Sequence, residues 1–363
     1  MLRGPRCFKL RNESASRRGR WCKSGWDGRL GDRGAGALLN EQPMGFYPPD
    51  SLVHEAQRRG VTVAAPAINQ SDVLCRVERG IGGLAVRIGL GYVKGVKEEE
   101  MRRLSAERER GGPYRGVADL ASRSGAGRDG LERLAWAGAL DGLPVAEPGG
   151  QGHRRERYWQ LGIAGTSRTR GKTTQLALPI EPSQTPALEA LGSWELAVEN
   201  YRATGINLGK HPLALLRSSL GEGVTRSCDL GAVADGETVE VAGMVIARQR
   251  PETAKGITFL LLEDERGTIN LIVGAAVYTR SRTVVRSAPL VRARGRLERR
   301  EGAVNVIVAE LGALEDGPEL ESSAAAAVPT VEPEVMPTQR HRRELAVAEL
   351  RAVAAAGHSF GRR

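Results

Sequence analysis

Between residues 237 and 311 five apolar stretches of strand character follow one another, at 238–250, 256–264, 268–274, 289–300 and 303–311, and one helical stretch, 275–287, separates the third from the fourth. That number and order restrict the fold more than anything else in the chain. They are the order of an OB-fold, a small five-stranded barrel closed on itself. The stretch "VRARGRLERR", 291–300, shows the same barrel from a single strand. Side chains alternate across a strand, so Val291, Ala293, Gly295 and Leu297 face inward and Arg292, Arg294 and Arg296 outward. The loop between the first two strands carries Arg248, Arg250 and Lys255, and the loop between the fourth and fifth carries Arg299 and Arg300. OB-folds meet oligonucleotides with those two loops, which makes the five cations candidate phosphate contacts. The segment holds only two aromatic residues, Phe259 and Tyr278. Phe259 alternates with Ile257 and Leu261 and is read as core, which leaves the contact mainly ionic.

Charge along the chain agrees with a polyanionic partner. The formal net charge is +10, and residues 1–36 hold ten Lys and Arg against three Asp and Glu. A second basic concentration runs from Arg280 to Arg300, eight arginines against one acid, Glu298. Residues 1–36 are rich in Arg and Gly and lack apolar periodicity, so disorder is expected there. Order is expected from residue 37. The turn Pro48-Pro49-Asp50 leads to a helix capped by Ser51, which Gly60 stops before the strand-like "VTVAAP".

Two hairpins punctuated by glycine follow, "GLGYVKGVKEEEMRRL" at 89–104 and "LASRSGAGRDGLERLAWAGAL" at 120–140. In the second, Gly125-Ala126-Gly127 separates two short helices, and Leu131 and Leu134 give the second helix a buried face. This is the layout of a helix-hairpin-helix unit, whose glycines let backbone N–H groups approach a phosphate while the following helix N-terminus adds its dipole. Candidate DNA contacts are Gly95, Val96 and Lys97 in the first hairpin and Gly125, Ala126, Gly127 and Arg128 in the second.

Residues 148–192 read as a linker rich in Pro, Gly, Gln, Ser and Thr. Its "RGKTTQ" fails as a phosphate loop, because Thr166 stands where that motif needs Gly and no apolar strand precedes it. The adjoining "QLALPI", Gln175 to Ile180, is a short apolar peptide in polar surroundings, the form in which extended docking motifs occur. A helix is expected at 194–205. The four cysteines form no CxxC pair and the five histidines are scattered, so neither a metal cluster nor a disulfide framework is indicated. No apolar run approaches a membrane span, and a cytoplasmic, reduced location is expected.

The motifs "ALLNEQPMGFYPP", "VRIGLGYVKGV", "GPYRGVADLASRSGAGRDGLERLAWAGALDGL", "YRATGINLGKHPLALLR" and the barrel segment, in this order, resemble the C-terminal part of a bacterial C-family DNA polymerase, the polymerase III alpha subunit. The wording "FYPPDSLVHEAQRRGV" resembles its error-prone translesion branch. The resemblance covers 37–311. It implies the end of a fingers domain, tandem helix-hairpin-helix contacts on DNA, a linker with a sliding-clamp peptide, and an OB domain over the template strand. "QLALPI" occupies the place of that peptide, with Gln175, Leu176 and Leu178 as anchors. The implied partners are primer-template duplex, single-stranded template, the sliding clamp and translesion accessory proteins, with no membrane.

Catalysis in such polymerases needs a carboxylate cluster for two metal ions on a palm domain N-terminal of these motifs. This chain has no Asp-x-Asp pair, and Glu263-Asp264-Glu265 reads as a strand-end turn of the barrel. No catalytic residue, metal ligand or cofactor is therefore expected here, magnesium belonging with the palm. The composition of 1–36 is that of GC-rich DNA translated out of frame, and a truncated or split gene is the expectation.

The expected fold class is a multidomain α+β chain, a helical region with tandem helix-hairpin-helix motifs followed by an OB-fold β-barrel, with disordered N- and C-terminal tails. Its divisions are 1–36, disordered; 37–86, a fingers remnant; 87–147, the tandem hairpins; 148–192, the linker; 193–232, a helical connector; 233–315, the OB domain; and 316–363, a tail with a short helix. The functional expectation is the DNA-positioning C-terminal portion of an error-prone polymerase. The alternatives are half of a split polymerase and a stand-alone adaptor for single-stranded nucleic acid.

Overall fold

The computed structural model describes residues 31–42, 47–80, 83–144, 152–164, 168–170, 173–175, 178–179, 186, 188–254, 256–300, 302–314, 348–350, 352–353 and 358–360. Most of the two tails expected to be disordered lies outside these residues.

Helices α1 (Gly31–Asn40) and α2 (Pro49–Arg58) pack on a small sheet of β1 (Thr62–Ala64), β2 (Arg76–Gly80) and β3 (Gly83–Arg87), ordered β1-β3-β2. α1 starts six residues before the expected onset of order. Its glycine-rich sequence has poor helix propensity, but Ala35 and Leu39 are buried with Val53, Val86 and Ile88, and tertiary packing overrides propensity. α2 starts on Pro49 after Pro48, with no side-chain cap, so Ser51 lies inside the helix and does not cap it. Proline at the first helical position is already held at a helical φ.

A short 3₁₀ turn (Leu90–Tyr92) leads into α3 (Glu98–Gly111), α4 (Val117–Arg123), α5 (Arg128–Trp136) and α6 (Arg154–Ile163). Leu131 and Leu134 are fully buried, as expected, in one core with Leu90, Met101, Leu104 and Leu120. In the linker, β4 (Arg168–Arg170) and β5 (Thr173–Gln175) pair antiparallel. Of "RGKTTQ", Arg170 and Thr173 to Gln175 lie in these paired strands, and Gly171 and Lys172 lie outside the described residues. α7 (Ser193–Ala203) and α8 (Pro212–Leu220) form the connector, and β6 (Val224–Thr225) pairs with the barrel.

The barrel consists of β7 (Thr238–Gln249), β8 (Thr258–Glu263), β9 (Thr268–Val273), β10 (Leu290–Arg300) and β11 (Ala303–Ala313), with α9 (Ala275–Arg280) and α10 (Arg282–Ser287) between β9 and β10. Its order is β10-β11-β9-β8-β7, closed by a β7–β10 pairing; β9 and β11 run parallel and the other pairs antiparallel. This is the OB-fold topology anticipated from the strand order. Val291, Ala293, Gly295 and Leu297 are buried, while Arg294 and Arg296 are exposed and Arg292 is half-buried. The alternation holds.

The connector covers one outer wall of the barrel. Trp194, Tyr201, Leu213 and Leu216 share a core with Met244, Ile246 and Leu290, and Leu350 from the tail joins it fully buried. β12 (His358–Phe360) pairs with Ala247–Gln249 of β7. These short pieces of 316–363 are docked on the barrel, and the rest of the tail expected to be disordered lies outside the described residues. Residues 348–350 and 352–353, within the stretch where a short helix is expected, are helical.

Candidate nucleic-acid interface

The second hairpin is built as its sequence requires. Gly125 has φ +62°, the left-handed region that glycine enters without cost. Ala126 is fully buried, which anchors the turn, and Gly127 precedes the first turn of α5. Arg128 is exposed at that N-terminus, its Nε 2.7 Å from Glu132. In the first hairpin Gly95 has φ +78° and the Arg133 guanidinium lies against it, 2.7 Å from where a Cβ would stand. Val96 packs on the helical core, and Lys97 is exposed, 3.5 Å from Glu100. Arg133 belongs to α5, so it braces one hairpin against the other.

The Glu100 carboxylate reaches the N-terminus of α5, its Oε2 3.0 Å from the Cβ position of Gly130 and its Oε1 3.7 Å from that of Gly127. Asp129 stands in the same first turn. An anion is stabilised there by the helix dipole, so a phosphate arriving at this end meets carboxylates already in place. Sequence reasoning missed Glu100 because it lies in the other hairpin, about thirty residues away. It also missed Lys94, whose Nζ donates to the Tyr201 carbonyl at 2.7 Å and ties the first hairpin to the end of α7; burial lowers the Lys94 pKa.

In the barrel the candidate cations separate. Arg248 is corrected: it lies in β7, not the loop, and is buried, donating from Nε to the Val285 carbonyl at 2.9 Å and from Nη2 to the Ala288 carbonyl at 2.6 Å. It caps the C-terminal carbonyls of α10, a structural role. Arg250 is exposed with its guanidinium stacked 3.9 Å from the Tyr278 ring centre. Lys255 lies outside the described residues. Arg299 donates to the carbonyls of Leu230 and Gly231 at 3.1 and 2.8 Å, so its charge is partly held by the fold. Arg300 is exposed beside it, while Arg292 pairs with Glu240. Arg294, Arg296 and Arg300 carry no ion pair among the described residues.

Phe259 is a further correction. Leu260 and Leu262 fill the barrel, and Phe259 stands half-buried on the opposite, outer face. The register places it beside Ile272, Ile272 beside Ile307, and Ile307 beside Arg296. Leu261, Asn270 and Asn305 form the adjacent row. This outer face of β8, β9 and β11 offers one aromatic ring, two amides and Arg296.

The acidic triplet is spent on structure. Asp264 accepts from the Ser227 amide and hydroxyl, both at 2.6 Å, and from the amides of Arg266 and Gly267, both at 2.8 Å. Glu265 takes a two-pronged contact from Arg217 at 3.0 and 2.7 Å. Glu263, fully buried, accepts from Arg58 at 2.8 Å and lies 3.4 Å from both Ser51 Oγ and His54 Nδ1. Asp50 completes this cluster, accepting from Tyr201 and from the Asn207 amide at 2.8 Å each. Burial works to lower the His54 pKa, but Asp50 and Glu263 outweigh it and hold the ring at about 9, an imidazolium. Burial and the charge on His54 push His211 down to about 3.

The sequence indicated no metal cluster, yet His54, His211 and Glu263 bring ligand atoms within 4.8 Å of one another. With no metal bound, Asp50 and Glu263 keep His54 protonated, so coordination by the trio requires that proton to leave. His211 Nδ1 accepts from the Leu213 amide at 3.1 Å, so the neutral ring carries its proton on Nε2. The trio is an ion-pair cluster joining α2, the connector and β8.

Of the linker anchors, Gln175 ends β5, Leu176 lies outside the described residues, and Leu178 is 74% exposed. Cys75 is a buried free thiol and Cys228 an exposed one. No helix among the described residues is long and apolar enough to cross a membrane.

Residues 60–149, which contain both hairpins, match the family described as helix-hairpin-helix motif. The error-prone DNA polymerase of Mycobacterium tuberculosis strain H37Rv is 39% identical over 279 residues, covering 77% of this chain and 24% of the relative. That of Alkalilimnicola ehrlichii is 43% identical over 282 residues, covering 77% of this chain and 26% of the relative. The error-prone polymerase of Corynebacterium efficiens is 40% identical over 283 residues, covering 77% and 24%. By sequence, this chain corresponds to the C-terminal part of the error-prone DNA polymerases. It spans about a quarter of the length of these error-prone polymerases. Hairpins and barrel follow one another here in the order that the resemblance implied.

Proposed function

We propose that this chain is the DNA-positioning C-terminal portion of an error-prone, polymerase III alpha-like enzyme that acts in translesion synthesis and repair in the cytoplasm. The observation that carries the reading is the pair of mutually braced hairpins with exposed Lys97 and Arg128, followed by a closed barrel on which Arg250, Arg296 and Arg300 are exposed. The hairpins hold the primer-template duplex and the barrel face holds single-stranded template. Nucleotide addition is assigned to magnesium-binding carboxylates on a palm domain, none of them in this chain. The outer face with Phe259 also supports the second reading, a stand-alone adaptor for single-stranded nucleic acid.

Duplex binding tests the hairpin assignment. Lys97→Ala and Arg128→Ala each remove one phosphate contact and are expected to flatten the slope of log K against log salt by about 0.9. Glu100→Gln removes an anion from the α5 N-terminus and is expected to tighten duplex binding about two- to fivefold at low salt. Unchanged slopes in both alanine variants, with no gain in Glu100→Gln, would place the duplex elsewhere.

The linker peptide is proposed as the clamp contact. A synthetic peptide of residues 172–183 is expected to bind the sliding clamp with a Kd on the order of 1 μM, and Leu176→Ala with Leu178→Ala to abolish that binding. Isothermal titration with both peptides reads the difference, and equal affinities would refute the assignment. Translesion accessory proteins are the other partners of this reading.

A further inference from the structure

The aromatic residues of this chain make up only 4% of it, yet three of them meet in one open pocket. Trp136 at the end of α5 and Tyr158 and Trp159 on α6, with Ile163 and Leu188, line a groove of about 410 Å³. The Trp136 and Tyr158 ring centres are 5.3 Å apart, their planes tilted by 43°. Tyr158 and Ile163 are 39% and 46% exposed, among the few large apolar side chains that face solvent. Packing within the helical core does not account for rings left open in this way.

Two arginines stand at the rim. Arg155 lines the groove and reaches the Glu189 carbonyl at 3.0 Å and Glu195 at 3.3 Å. Arg128, at the N-terminus of α5, has its Nη2 3.9 Å from where a Cβ of Gly162 would stand, and Gly162 lines the groove. The pocket and the tip of the second hairpin therefore form one surface. The partners of both arginines, Glu195 and Glu132, are at least partly exposed, and such pairs contribute little, so a phosphate can replace them.

We propose that this groove is a base-stacking site for single-stranded DNA, with bases on Trp136, Tyr158 and Trp159 and the flanking phosphates on Arg128 and Arg155. The inference rests on the DNA-binding reading of the hairpin and extends it to a groove that shares Arg128 with the second hairpin and is separate from the barrel face. Aromatic faces accept any base, so the contact is tolerant of sequence. It suits a strand that leaves the duplex at the hairpin.

Binding of the full chain to two probes tests it: a short oligothymidine, and an abasic oligonucleotide with the same number of phosphates. Stacking of one base contributes about tenfold in affinity, so oligothymidine is expected to bind about tenfold tighter or better. Tyr158→Ala with Trp159→Ala should bring the ratio toward one and leave abasic binding unchanged. Tyr158→Phe with Trp159→Phe keeps two π-faces and should restore it. Tyr158→Ala alone, at a half-open position, gives an intermediate ratio should the double variant fail to fold. A ratio unchanged in the alanine variants would overturn the proposal and move stacking to the Phe259 face. A ratio of one in the wild type would also overturn it, as for a groove that takes an apolar peptide. Failure to bind either probe would instead remove the DNA-binding reading itself.

Discussion

Replacing Glu263 with Gln is expected to lower the unfolding free energy by about 3–5 kcal/mol, the cost of breaking a buried charge pair from one side. Glu263 is fully buried on β8 and faces Arg58 and His54, which belong to α2, more than two hundred residues earlier. The amide keeps the shape and removes the charge, leaving an imidazolium and a guanidinium without their shared partner. The pH dependence follows from the histidines. His54 rises from 6.5 to about 9 on folding, so its contribution is complete below 6.5 and is lost as pH climbs through 9. His211 falls from 6.5 to about 3, so its contribution is present above 6.5 and is lost as pH drops toward 3. Urea denaturation should show greatest stability near the crossing of the two, with the alkaline loss much reduced in Glu263→Gln. An alkaline limb of the same size in both proteins would mean that Glu263 does not hold the His54 proton.

Gly295→Ala is expected to destabilise the barrel by at least about 3 kcal/mol. A Cβ at Gly295 would stand 2.2 Å from the Ile307 carbonyl oxygen and 2.8 Å from its carbon, both backbone atoms of the partner strand. The register of β10 against β11 shifts at Arg294/Gly295, so this glycine sits at a bulge. Nothing flexible can move aside, and overpacking of even an adaptable core costs about 1–3 kcal/mol. Thermal unfolding followed by circular dichroism reads the effect, and a midpoint within a degree or two of wild type would show that the strands re-register freely.

How much of this was legible in the sequence depended on whether a pattern had one reading. The barrel was legible because β10 and β9 alternate over most of their length, apolar residues or glycine inward and Arg, Thr or Asn outward, with Ile272 the apolar exception on the outer face. Phe259 was not, because "TFLLLE" has apolar residues on both faces. Leu260 fills the barrel while Leu261 meets the connector, and an uninterrupted apolar run leaves the phase of a strand unset. Arg248 was misplaced for a related reason. β7 runs on to Gln249, so an arginine that looked like loop lies in a strand against the end of α10. The hairpin glycines were legible from spacing alone, but Glu100 at the α5 N-terminus and the meeting of Trp136 with Tyr158 required the helices to be packed. The cluster of Asp50, His54, His211 and Glu263 draws on three distant segments, and no local spacing announces it.

The most direct test of DNA positioning by this chain is the salt dependence of its binding to a primer-template with a single-stranded overhang. Arg250, Arg296 and Arg300 are exposed on the barrel that we propose holds the single-stranded template. Each phosphate neutralised on a single strand contributes about −0.7 to the slope of log K against log salt. The triple replacement Arg250→Gln, Arg296→Gln and Arg300→Gln should flatten the slope by about 2 units on the overhang substrate, equally for different base sequences, and leave binding to blunt duplex unchanged. A slope on the overhang substrate indistinguishable from wild type would show that the barrel face does not hold the template strand.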